Sequence, residues 1–386
     1  MNSNLPRSGQ YENEMTVKET EKIKQKEKLR IPRAVRIIYI IAAACVPLYV
    51  AFLFSEGFSD FFNRNISSVF RAFLAHLTGW IPFSLAEFAL ILLPVWVVVI
   101  SRLILRFYGD SLKEMLSGII CIFSIIAVVF STFTIGFAPA YRGSTLDKKL
   151  GIERVDVSAR ELYDTAVILA EHLNSEVASI SYGADGFSVM PYNYSQMNDE
   201  LIKAYDKACD DYDFIQRLDS KLKPVMLSEA MSYTHITGVY TFFTGEANIN
   251  VAFPDYTVPY TAAHELSHQR GIARENEANF MAFLVCIRSE DSYIRYSAYL
   301  NLYEYVMSAL AGADSELYMR AYAKLPDCVR GEMAAYSEFY DKYRDSTASE
   351  ISGAVNNTFL IIHGTEGTKS YGMVVDLAVA YFKAQQ

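Results

Sequence analysis

Three apolar runs crowd into the first 141 residues of this 386-residue chain, and they constrain its fold more than any other feature. Residues 37–54 read IIYIIAAACVPLYVAFLF, without a single charge. Residues 83–101 read FSLAEFALILLPVWVVVIS, with only Glu87 charged, near one end, and residues 115–141 carry no charged side chain at all. A helix needs about 20 apolar residues to cross the hydrocarbon layer, whereas a core helix of a soluble protein keeps a polar face. The pattern predicts three transmembrane helices, near 37–54, 83–101 and 115–137.

Placement of cations orients them, because short cytoplasmic loops are rich in Lys and Arg. The leader, residues 1–36, holds nine Lys/Arg and five Asp/Glu. The loop 55–82 has only Arg64 and Arg71, while the one after the second run has Arg102, Arg106 and Lys113. The leader is therefore expected in the cytoplasm, with residues 142–386 as an extracytoplasmic domain of a multi-pass cell-membrane protein. Within loop 55–82, FSDFFNRNISSVFRAFLAHLTGWIPF is amphipathic and expected along the outer interface.

Residues 143–386 carry 20 Lys/Arg against 34 Asp/Glu. An acidic domain in a chain of net charge −9 excludes nucleic acid as a main partner, since phosphate binding requires basic surface. Five cysteines are too few for a disulfide scaffold and read as buried thiols. The pattern is mostly helical, an α+β class, mainly α. Ser158 with Glu161 forms a capping box; further helices are expected over 195–222, 275–289, 292–311, 328–345 and 369–384. Strands are expected near 239–243 and 247–252.

Beyond Pro259, a helix starting near Thr261 carries His264, Glu265 and His268 in TAAHELSHQRG. Positions i and i+4 share a helix face, so both imidazoles can reach one cation, with the Glu265 carboxylate beside them to take a proton from water. This is the HExxH arrangement of zinc-dependent peptidases. A third ligand is required. A metzincin would place histidine where this chain has Arg274, and arginine cannot ligate. Glu275 and Glu277 remain. Glu275, followed four residues later by Asn279, fits the gluzincin-type spacing, in which that residue supports a zinc-bound histidine; Glu277 has no such partner but stays open. The strand at 246–252 is a candidate edge for pairing with an extended peptide. His363, Tyr371, His235 and Tyr240 are candidate oxyanion donors.

HELSHQRGIARENEANF, together with FFTGEANINVAFP, IPFS and SYGMVVDL, resembles the bacterial membrane family called domain of unknown function 3810, over nearly all of the chain after the leader. The resemblance implies several N-terminal spans followed by a zincin-like metallopeptidase domain; it supplies no substrate. The combined expectation is a membrane-anchored zinc metallopeptidase acting on a peptide or protein, with Zn²⁺ held by His264, His268 and Glu275 and with Glu265 as general base. The alternative is a non-catalytic zincin-fold membrane protein acting as a sensor or assembly factor.

Overall fold

The computed structural model describes residues 31–108, 112–154 and 156–385; nearly all of the expected leader lies outside them. The chain divides into two compact units, Met1–Ala44 with Leu92–Phe130, and Cys45–Ile91 with Ser131–Gln386. In the first unit Ile37, Ile40, Val95, Trp96, Ile125 and Ile126 are exposed. That is the reverse of a water-soluble surface and suits a lipid environment. Tyr39 satisfies its hydroxyl within this unit by donating to the Ile120 carbonyl at 2.9 Å.

Among the described residues two helices are long and apolar enough to cross a membrane, Arg33–Phe54 and Met115–Gly136, rather than the three expected. The expected span 83–101 is broken into Leu85–Ile91 and Leu93–Arg102, bent by 57°. Pro94 supplies the reason. It has no N–H for the Leu90 carbonyl and its ring crowds that turn, so the helical ladder restarts with Trp96 N–H donating to Leu92 O. Glu87 is the second reason. Its carboxylate accepts the Met226 and Leu227 amides at 3.0 and 2.7 Å, which ties Leu85–Ile91 to the globular unit.

The second unit has a buried core of long helices, among them Ala159–Glu176, Tyr194–Asp211 and Ser292–Ala313. Ser158 closes its expected capping box, and Asn193 forms another. The helix expected over 195–222 ends at Asp211, and Leu222–Pro224 is instead a strand, β1. Strands β2, Gly238–Thr241, and β3, Glu246–Ile249, complete a sheet of order β1-β3-β2. β3 is parallel to β1 and antiparallel to β2, with Gly238 opposite Ile249 and Tyr240 opposite Ala247. The segment expected as a free edge is therefore the central strand, and the edges are β1 and β2. A buried ion pair between Lys223 and Glu246 locks β1 to β3, and Glu246 also accepts the Leu85 and Ala86 amides. Sequence reading also missed the helix Thr347–Ile362, whose Gly353, Asn356 and Asn357 lower its intrinsic propensity.

The amphipathic loop forms Glu56–Phe62, a π-turn Asn63–Ser67, and Ser68–Gly79. The last of these is inside out. Ser68, Arg71 and Thr78 are buried, whereas Val69, Phe73 and Leu77 are exposed, as is Trp80 just beyond the helix.

Candidate metal centre

The helix that carries the histidines spans Thr257–Gln269, one turn longer at its start than expected. Pro259 sits in its first turn, where a backbone N–H would have no helical partner anyway. Gly271 ends it in the left-handed region, φ 89°, a conformation that costs glycine little. Its amide bonds His268 O, and Ile272 N–H bonds Ser267 O. The chain then doubles back into Glu275–Cys286. This tight reversal brings Glu275 onto the two imidazoles despite the short spacing.

Glu275 Oε2 lies 3.2 Å from His264 Nε2 and 3.4 Å from His268 Nε2. The rings are nearly perpendicular, with centroids 4.6 Å apart, and all three groups are buried. His268 Nδ1 faces the Ile272 carbonyl at 2.7 Å. A carbonyl only accepts, so Nδ1 carries hydrogen, and in the neutral ring Nε2 is then a lone pair aimed at a carboxylate. Positive charge must stand between them, as protons on the rings or as a cation.

The donor set fits a metal. Two imidazole nitrogens and one carboxylate match three-ligand hydrolytic zinc sites, and a tetrahedron with bonds of about 2.0–2.2 Å has edges of about 3.3–3.6 Å, close to both nitrogen–oxygen separations above. The ligating atoms of His264, His268 and Glu275 all lie within 4.8 Å of one another. His264 Nδ1 and Glu265 Oε2 are buried without hydrogen-bond partners, so the site's polar groups are not all satisfied by protein alone.

Electrostatics reflect the crowding. Burial works against charge on His268, but the Glu275 carboxylate outweighs it and raises the ring to about 9. Burial likewise opposes ionisation of Glu275, yet His268 and His264 hold it well below the usual carboxylate range. Burial pushes Glu265 up to about 6, against the pull of the two imidazoles.

Glu277 is placed elsewhere. It accepts the Leu146 amide and an Arg274 N–H, both at 3.0 Å, and Arg274 also donates to Tyr141 O and Gly143 O. Asn279 does not support a histidine as its spacing suggested; its side-chain amide reaches the Tyr305 hydroxyl at 3.4 Å.

His264, Glu265, His268, Glu275 and Asn279 line a cavity of about 1140 Å³ together with β2. Tyr240 and His235 are in its wall. The Tyr240 hydroxyl is buried and unpartnered, while His235 Nε2 is engaged by Tyr343 O at 2.7 Å. His363 instead packs on Phe359 and Phe133, its Nδ1 on Phe359 O. The Tyr371 side chain lies outside the described residues.

Three residues of the site escaped sequence reasoning. Tyr141 lines the cavity, and burial, reinforced by the Glu275 charge, raises its phenol. Gly238 packs on Glu265. Arg71 is fully buried, donating to Gln269 O at 3.1 Å, Gly136 O at 2.8 Å and Asn63 Oδ1 at 2.8 Å. Gly136 and Gln269 are the last residues of two helices, so the guanidinium meets two negative dipole ends instead of an acid. Its one mark in the sequence was a charge set among the Phe, Leu and Val of a loop whose other arginine is Arg64.

No curated protein and no solved structure matches the chain. Residues 62–379 match the family model described as protein of unknown function (DUF3810), and the chain therefore belongs to that family.

Proposed function

We propose that this chain is a membrane-anchored, zinc-dependent peptidase with a zincin-like, gluzincin-type domain. The observation that carries the reading is the convergence of His264, His268 and Glu275 beside a glutamate, Glu265, that keeps one buried oxygen free. His264, His268 and Glu275 would hold the ion, which when bound supplies Lewis-acid chemistry.

The rest falls to protein groups. The Tyr240 backbone amide holds the Glu265 carboxylate, leaving Oε2 without a partner to take a proton from water and return it to the leaving amine. A carboxyl raised to about 6 is suited to both transfers near neutrality. The edge strand β2 offers backbone groups to an extended peptide, beside the cavity that Val239 and Tyr240 line. The Tyr240 hydroxyl, buried and unpartnered in a residue of the cavity wall, is the donor this reading assigns to a developing oxyanion. A purely structural or sensory site has no use for a free base, which favours the enzyme over the non-catalytic alternative.

For the membrane, the reading is three crossings with the globular unit outside the cell. Phe52 and Phe133, near the C-terminal ends of the two long helices, share one buried cluster with Phe137, Tyr141 and Tyr240. Both helices thus end at the same place, and the chain must recross between them. The bent apolar pair Leu85–Ile91 and Leu93–Arg102 is the segment available. The exposed Val69, Phe73 and Leu77 suit the lipid interface.

The test uses the full chain purified in detergent. Wild type should hold about one zinc per chain and cleave a peptide library. His264→Ala should lose the metal, and Glu265→Gln should keep it and lose cleavage. Absence of zinc in wild type overturns the metal site; zinc without cleavage overturns the peptidase.

A further inference from the structure

The helix Ser292–Ala313 turns an unusual stripe toward the cavity. Asn301, Glu304, Tyr305 and Ser308, spaced i, i+3, i+4 and i+7, all line it and so share one face. Its other faces are core, with Leu300, Leu302, Tyr303 and Val306 buried. Asn301, Glu304 and Tyr305 are half-buried and Ser308 is exposed, so the stripe stays open to a polar ligand entering the cavity.

Glu304 is its one charge. It accepts the Tyr256 hydroxyl at 3.2 Å on Oε1, and no cation pairs with it among the described residues. Of the charged side chains lining the cavity, Glu265, Glu275 and Glu304 are acids, and no described lysine or arginine joins them. With all three ionised, a divalent ion at the histidines would leave that wall negative by one charge. Tyr240, also in the cavity wall, has a buried hydroxyl without a hydrogen-bond partner.

We propose that Glu304 is a specificity-determining residue that receives a cationic group, an ammonium or guanidinium, on a peptide bound in this cavity. The inference rests on the reading of the cavity as a peptide site. Tyr256 immediately precedes the histidine helix, so its backbone stands about 12 Å along the axis from His264 at 1.5 Å per residue. Tyr305 follows Glu304 in the chain, and its hydroxyl meets the side-chain amide of Asn279, one turn beyond Glu275, at 3.4 Å, which links the two subsites. An extended chain advances about 3.3 Å per residue, so the basic residue lies within a few positions of the bond at His264. Burial, eased by Tyr256 and reinforced by Glu332, raises the Glu304 carboxyl to about 7; an arriving cation restores its ionised form.

The experiment titrates the metal-free full chain, in detergent with chelator, against a capped hexapeptide series. One lysine is walked through an alanine background, and each peptide is matched by its norleucine counterpart. For at least one position, wild type should bind the lysine peptide at least about tenfold more tightly. Glu304→Gln should remove that difference and leave norleucine affinity unchanged. Glu304→Asp, which keeps the charge, should retain it and covers the case in which the glutamine variant folds poorly. No lysine preference in wild type, or one that survives Glu304→Gln, overturns the proposal. Lysine preference in a chain that binds no zinc leaves it standing while the peptidase reading falls; zinc-dependent cleavage without lysine preference does the reverse.

Discussion

Gly238 on β2 lies so close to Glu265 that a Cβ there would stand 2.6 Å from Oε1 and 2.7 Å from Cγ. β2 and the Glu265 carboxylate are thus in direct contact, with no room for a side chain between them. Gly238→Ala forces Glu265 aside. It should cost about 1–3 kcal/mol of stability by overpacking and reduce peptide cleavage while zinc content is unchanged. Thermal melts, metal analysis and cleavage rates read the three effects, and full activity in Gly238→Ala would dissociate the strand from the base.

Arg71 holds the end of the histidine helix to the end of the helix Leu112–Gly136. Arg71→Met keeps much of its bulk but strands the Gln269 and Gly136 carbonyls. A loss on the order of 3 kcal/mol is expected, since each buried unpaired group costs about 1–3 kcal/mol. Because His268 is on the same last turn, zinc affinity should fall as well. Retained stability measured by denaturant unfolding would show that the carbonyls find other partners.

Glu275 and Glu277, adjacent on one helix turn, should separate cleanly. Glu275→Gln removes a carboxylate that touches both imidazoles, and zinc should drop well below one per chain by metal analysis. Glu277→Gln should retain zinc yet lose about 1–3 kcal/mol, because the Leu146 amide and Arg274 lose a charged acceptor. The opposite pattern would exchange their roles.

Glu304 makes stability pH-dependent. Its folded carboxyl is raised to about 7 from an ordinary value of 4.5, so the folded chain binds the proton more tightly than the unfolded one. The stabilisation is complete below about pH 4.5 and is lost as pH climbs through about 7. In the metal-free protein, Tm should decline more steeply between about pH 5 and about pH 8 for wild type than for Glu304→Gln. Parallel curves would place the carboxyl in a more solvated setting.

Local patterns were legible because they obey local rules. The capping box at Ser158 and the shared face of His264 and His268 follow from backbone geometry within one turn or two. The break at Pro94 was also written in the chain, but hydropathy alone reads through it, since an imino acid interrupts a helix without adding charge. The edge strand was misplaced for a different reason. β3 and β2 are equally strand-like, and which of them has a free side depends on β1, some two dozen residues earlier in the chain.

The sequence by itself determined the apolar helices, the pair of imidazoles and the acids that follow them, because periodicity, composition and turn chemistry act over a few neighbouring residues. Only the tertiary structure set Glu275, and not Glu277, against the imidazoles, brought Arg71 to the end of the histidine helix and Gly238 to Glu265, and turned Glu304 into the cavity. Those placements arise from packing between segments as much as two hundred residues apart, where buried charge and unpaired carbonyls select one arrangement and local propensity has no influence.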